Sequence, residues 1–145
     1  MEETLIRILL VEDNPGDARL VKETLADAEG LDFQLTHVER LSEARRALGK
    51  EQFDVVLLDL MLPDKPRMGS LIEIHDQARR VPIVVLTGMD DDMVESWTME
   101  EGAQDYVVKG KYDRQSLVRS IRHAIQRHRM QSEQRRVAPA RFVGV

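Results

Sequence analysis

The sequence predicts an α/β protein, with one parallel sheet covered by helices on both faces. Three observations carry that prediction. Short apolar runs alternate strictly with longer amphipathic stretches, five of each. Two of the runs, "FDVVLLDL" and "VPIVVLTG", are almost wholly apolar, as strands buried on both faces must be. Residues suited to helix caps follow several of the runs. A chain alternating in this way makes right-handed crossovers, and the resulting open sheet places its ligand site outside the carboxyl ends of the strands.

The first run, Thr4 to Val11, reads as a strand. In "NPGDARLVKETLADAE" Asn14 is suited to cap a helix, Pro15 to its first position and Asp17 to its positive end. Leu20, Val21, Leu25 and Ala28 supply its apolar face. "DFQLTHVE" alternates, with Phe33, Leu35 and Val38 marking a half-buried strand. "LSEARRALGK" reads as a short helix capped by Ser42, with Gly49 near its end. Phe53 to Leu60 is the third strand. "LPDKPRMGS" reads as a loop by its prolines and glycine, followed by the helix "SLIEIHDQARR". After the fourth strand, Asp90 is placed to cap "DDMVESWTMEEG", which stops at Gly102. "QDYVVKG" is the last strand. Asp113 begins a fifth helix of about residues 113–130, with Leu117, Val118, Ile121 and Ile125 on one side and Arg119, Arg122 and Arg129 on the other. Residues 1–130 form the expected domain, and residues 131–145 a basic, then apolar tail.

At 145 residues, the length suits one domain. No cysteine is present, which excludes disulfides and thiolate metal sites. No apolar run approaches the roughly 18 residues a membrane span needs. The start, "MEETLIRILL", is acidic where a signal peptide is basic, so a cytoplasmic protein is expected. Charge is unevenly spread. From Arg114 onward eight Arg face one acid, Glu133, giving +7, so the rest carries −12 of the net −5. An acidic body argues against direct DNA binding. The basic end reads as a solvated helix face or as a contact for an acidic partner.

The expected strand ends gather a distinctive set. Glu12 and Asp13 close the first strand, Asp59 the third, Thr87 and Gly88 the fourth, and Lys109 the fifth. Carboxylates so placed repel one another unless a cation intervenes. Oxygen ligands without His or Cys favour Mg²⁺, held by Glu12, Asp13 and Asp59. Asp59 is the candidate nucleophile, able to form an acyl phosphate. Mg²⁺ and Lys109 would each neutralise a phosphoryl oxygen, Thr87 would donate to a third, and Gly88 leaves room.

These residues, in this order, resemble the receiver domain of bacterial two-component response regulators. The resemblance runs from about Leu5 to Met130 and rests on "LLVEDN", "DVVLLDLMLPD", "PIVVLTG" and "GAQDYVVKG". It implies a flavodoxin-like (βα)5 fold with strand order 2-1-3-4-5. It implies phosphorylation of Asp59 by a sensor histidine kinase or phosphotransfer protein, in a module that catalyses only its own phosphorylation and dephosphorylation. It further implies a switch, in which Thr87 moves inward, Tyr106 repacks, and the fourth helix, fifth strand and fifth helix signal to a downstream protein. Three departures stand out. Gly110 replaces the proline that often follows the lysine, so a trans bond is expected. Arg67 occupies a common glycine position. Met61 and Met89 lie at positions that tune acyl-phosphate hydrolysis, and neither orients water well, which implies a long-lived phosphorylated form.

The rival readings are weaker. A flavin-binding relative of the fold needs a hydroxyl-rich phosphate loop where "VEDNPGD" is acidic. A phosphatase with an aspartyl intermediate wants a second Asp at Met61. No output domain is recognisable, which suggests a stand-alone regulator; the alternatives are the receiver portion of a larger protein, or a binding module that works without phosphorylation. Asp91, Asp92, Glu95 and Glu100 could meet Arg119 and Arg122 within one chain or across a homodimer built on the fourth helix, fifth strand and fifth helix. His37, His75, His123 and His128 show no metal spacing, and Trp97 lies with Tyr106 in the suspected switch region.

Overall fold

The computed structural model describes residues 5–26, 32–62, 65–66, 68–88 and 92–143, with backbone alone at 65, 66, 68 and from 133 onward. The strands are β1 Leu5–Val11, β2 Asp32–Val38, β3 Val55–Asp59, β4 Met61–Leu62, β5 Lys65–Pro66, β6 Ile83–Thr87 and β7 Asp105–Val108. The helices are α1 Pro15–Ala26, α2 Leu41–Lys50, α3 Met68–Gln77, α4 Asp92–Glu100 and α5 Arg114–Val143. Five strands form one sheet in the order β2-β1-β3-β6-β7. All its pairings are parallel. Numbering only these five strands gives 2-1-3-4-5, the flavodoxin-like order.

β3 and β6 are buried at every position, which accounts for their unbroken apolar sequences. Alternate residues feed two cores. On one face Ile8, Leu10, Leu57 and Val84 meet Ala18, Val21 and Leu25 of α1 and Leu117, Ile121 and Ala124 of α5. On the other Leu9, Val11, Leu58 and Val85 meet Leu41 and Ala44 of α2 and Leu71 and Ile74 of α3, with Val94, Trp97 and Tyr106 against them.

The local devices differ from the expected ones in several places. Asn14 does cap α1, its Oδ1 accepting the Asp17 N–H at 3.0 Å. The inward face of α1 uses Ala18, while Leu20 is 47 % exposed, because the helix is turned toward the sheet by Val21 and Leu25. Ala28 lies outside the described residues. Ser42 is not the cap of α2, which begins one residue earlier; Glu43 does that work, accepting the Glu39 and Arg40 N–H groups at 3.0 and 3.2 Å. Part of the expected loop after β3 is a small antiparallel ribbon, with Met61 opposite Pro66 and Leu62 opposite Lys65. The Asp90 cap, Met89 and Arg67 lie outside the described residues. Gly102 ends α4 at φ +113°.

Asp113 Oδ1 accepts the Ser116 N–H at 2.8 Å, and Ser116 Oγ accepts the Asp113 N–H at 3.0 Å, which starts α5 firmly. The helix then runs to Val143, past the end expected near residue 130. The sequence loses its apolar stripe there, but "MQSEQRR" is rich in good helix formers and carries the backbone onward.

Candidate functional site at the carboxyl ends of the strands

The site begins with register. Val11 of β1 is paired with Leu58 of β3, and Asp59 with Leu86 of β6, so Glu12, Asp59 and Thr87 fall at neighbouring strand ends. All three are buried, with Asp59 only 2 % exposed, whereas Asp13 is exposed. The Glu12 backbone is pinned on both sides. Its N–H donates to Val38 O at 3.0 Å, and its carbonyl lies 2.8 Å from His37 Nε2. The Asn14 N–H in turn donates to Glu12 Oε2 at 3.1 Å.

Lys109 arrives from the far edge of the sheet. Its N–H donates to Thr87 O at 2.8 Å. The Lys111 N–H closes a turn on Val108 O at 3.1 Å, with Gly110 at φ +82°. That is the third position of a type II-like turn, which favours glycine and is closed to proline. The Lys109–Gly110 bond is trans, as expected. The turn aims the ammonium across the sheet. Nζ lies 2.8 Å from Glu12 Oε1, 2.9 Å from Asp17 Oδ2 and 3.3 Å from Asp59 Oδ2.

The structure thus brings together Glu12, Asp13, Asp59, Thr87 and Lys109, and adds Asp17. Carboxylate oxygens of Glu12, Asp13 and Asp59 all lie within 4.8 Å of one another, a group able to hold a metal ion. No donor meets Glu12 Oε1 with hydrogen-bond geometry, although the atom is buried beside the Lys109 charge. An orphaned buried oxygen in an all-carboxylate set suits a hard divalent cation. Burial pushes the Glu12 carboxyl up to about 7, with Asp59 adding to the rise and Lys109 opposing it. For Lys109 burial acts downward, but contacts with Glu12 and Asp17 and the charge of Asp59 outweigh it and raise the ammonium above the usual lysine range. Burial likewise raises the Tyr112 phenol, with Asp17 contributing. The Met61 N–H donates to Asp59 Oδ1 at 3.1 Å, while the Met61 side chain is 47 % exposed. A Cβ at Gly88 would meet nothing within 4 Å, so the space beside Thr87 is open.

Tyr106 is half-buried and packs with Trp97 and Val94 against the core under α4. Among the described residues no ion pair joins Glu95 or Glu100 to Arg119 or Arg122. No helix of the described residues is long and apolar enough to cross a membrane.

Comparison with known proteins agrees with this geometry. The chain matches the response regulator receiver domain over residues 8–122 and belongs to that family. It is 36 % identical over 134 residues to the transcriptional regulatory protein CpxR of Klebsiella pneumoniae, covering 92 % of this chain and 55 % of that protein. The chain spans about half the length of the curated relatives it matches. Among solved structures, the signal receiver domain of an HD domain-containing protein from Pseudomonas fluorescens Pf-5 has a TM-score of 0.78 at 23 % identity, covering 92 % of this chain and 96 % of that one. The Mn(2+)-bound form of response regulator Rcp1 has a TM-score of 0.66 at 28 % identity, covering 83 % of this chain and 90 % of that one. The chain is therefore a receiver domain of the response regulator family.

Proposed function

We propose that Asp59 accepts a phosphoryl group from a sensor histidine kinase or phosphotransfer protein in a Mg²⁺-dependent reaction, in the cytoplasm. The observation that carries this reading is the Lys109 ammonium, held 3.3 Å from Asp59 Oδ2 among carboxylates that meet no other cation among the described residues. An Asp59 oxygen attacks phosphorus in line, the bond to the donor's imidazole nitrogen breaks, and the imidazole leaves with a proton from solvent. Lys109 faces one phosphoryl oxygen and the Thr87 hydroxyl another. Glu12, Asp13 and Asp59 would hold Mg²⁺, which supplies charge neutralisation at a third. Response regulator Rcp1, 28 % identical to this chain, has a Mn(2+)-bound form, which supports a divalent ion as the partner of these carboxylates.

The acyl phosphate then acts as the signal. Thr87 moves toward it, Tyr106 changes its packing against Trp97, and the α4–β7–α5 face alters for a downstream protein partner. Glu95 and Glu100 of α4 with Arg119 and Arg122 of α5 offer complementary charges for a homodimer on that face. The test is intact mass after incubation with acetyl phosphate. One added phosphoryl group is expected on the wild type with Mg²⁺, and none on Asp59→Asn or without the metal. No addition to either protein, with Mg²⁺ binding intact, favours a binding module that works without phosphorylation.

A further inference from the structure

We propose that Asp17 is a positioning residue that holds Lys109 back from Asp59 in the resting protein; this rests on the phospho-acceptor reading above. The Lys109 ammonium lies against three carboxylates, and donates hydrogen bonds to two of them, Asp17 and Asp59. Two of the contacts are short, Glu12 Oε1 at 2.8 Å and Asp17 Oδ2 at 2.9 Å, and the contact to Asp59 Oδ2 is the longest at 3.3 Å. Asp17 is not a passive neighbour. It stands in the first turn of α1, its N–H is fixed on Asn14 Oδ1 at 3.0 Å, and its carboxylate is partly solvated. Glu12 is buried and cannot retreat, whereas Asp17, at the rim, can let go of Lys109 without stranding a buried charge.

The consequence is a toll on phosphorylation. Lys109 must leave Asp17 to face an incoming phosphoryl oxygen fully. Asp17→Asn keeps the side-chain shape and the backbone bond to Asn14 but gives up the charge. Phosphorylation by acetyl phosphate should then accelerate about fivefold, the factor set by releasing one partly exposed ion pair. Lower negative charge at the pocket would by itself also speed an anionic donor, but that contribution disappears in about 1 M salt, where the screening length is about 3 Å. The direct contact is screened much less.

The experiment measures the phosphorylation rate of wild type, Asp17→Asn and Asp17→Glu in low and high salt, with crystal structures of wild type and Asp17→Asn. Expected are a gain in Asp17→Asn that persists in high salt, a return toward the wild-type rate in Asp17→Glu, and a Lys109–Asp59 distance shorter in the variant. An unchanged or slower Asp17→Asn, a gain lost in high salt, or an unmoved Lys109 overturns the proposal. If the wild type takes no phosphoryl group, the Asp59 reading fails instead, and the Lys109 position in the variant still decides this one.

Discussion

Lys109 Nζ lies 2.8 Å from Glu12 Oε1, so the turn after β7 reaches across β6 and β3 to the end of β1. This one contact ties the edge of the sheet to its middle. It also answers what offsets a buried carboxylate at the end of an apolar strand: an ammonium carried in from the edge strand β7.

Removing that ammonium should be costly. Lys109→Met leaves Glu12 and Asp59 buried with no counter-charge among the described residues, and breaking such a cluster costs about 3 kcal/mol. Urea unfolding in chelator should show the loss. Added Mg²⁺ should recover part of it, since a cation takes over the neutralising role.

The pH dependence has a definite sign. Glu12 has its folded pKa raised from 4.5 to about 7, so the folded state holds this proton more tightly than the unfolded one. Stability from this group is present below about 4.5 and is lost as pH rises to about 7. The loss should amount to about 3 kcal/mol in the metal-free protein. Chemical denaturation at a series of pH values in chelator measures it, and Glu12→Gln should flatten that slope. Mg²⁺ should stabilise the protein more at neutral pH than at pH 5, because the metal competes with the Glu12 proton.

Gly102 gives a test of packing far from the site. A Cβ there would sit 2.5 Å from His75 Nε2, at a φ of +113°. Gly102→Ala should therefore destabilise by more than the roughly 1 kcal/mol of backbone strain alone. Adding His75→Ala should recover the steric part and leave the strain, so a double-mutant cycle in urea should be non-additive.

The lifetime of the phosphorylated form is the next expectation. Met61 follows Asp59 by two residues, donates its N–H to Asp59 Oδ1 at 3.1 Å and presents an exposed apolar side chain. A thioether is a weak acceptor and orients attacking water poorly. Met61→Asn should shorten the lifetime of the acyl phosphate several-fold, measured as loss of label in Mg²⁺ buffer. An unchanged lifetime removes Met61 from the account.

Much of the fold and site could be read from the residues, and the failures have physical causes. "VVLLD" and "IVVLT" announce central strands because burial on both faces demands continuous apolar sequence. Their ends name Asp59 and Thr87 at once. Asp17 escaped because an acid in a first helical turn already has a sufficient reason to be there, the helix dipole. Only the fold shows that Lys109 reaches it. Leu20 misled because a helix face is decided by rotation about its axis, and Ala18, small and easily overlooked, faces the sheet instead. The ribbon of Met61–Leu62 with Lys65–Pro66 escaped because proline argues against strands, although it is tolerated where no ladder donor is needed. The length of α5 escaped because its end carries helix propensity without an apolar stripe.

The most direct measurement of the central claim is chemical trapping of the modified residue. Borohydride reduces an aspartyl phosphate to homoserine. After treatment with acetyl phosphate and Mg²⁺, peptide sequencing by mass spectrometry should find homoserine at position 59 and nowhere else. Homoserine at position 13 or 17, or at no position in protein that has gained a phosphoryl group, would contradict Asp59 as the acceptor.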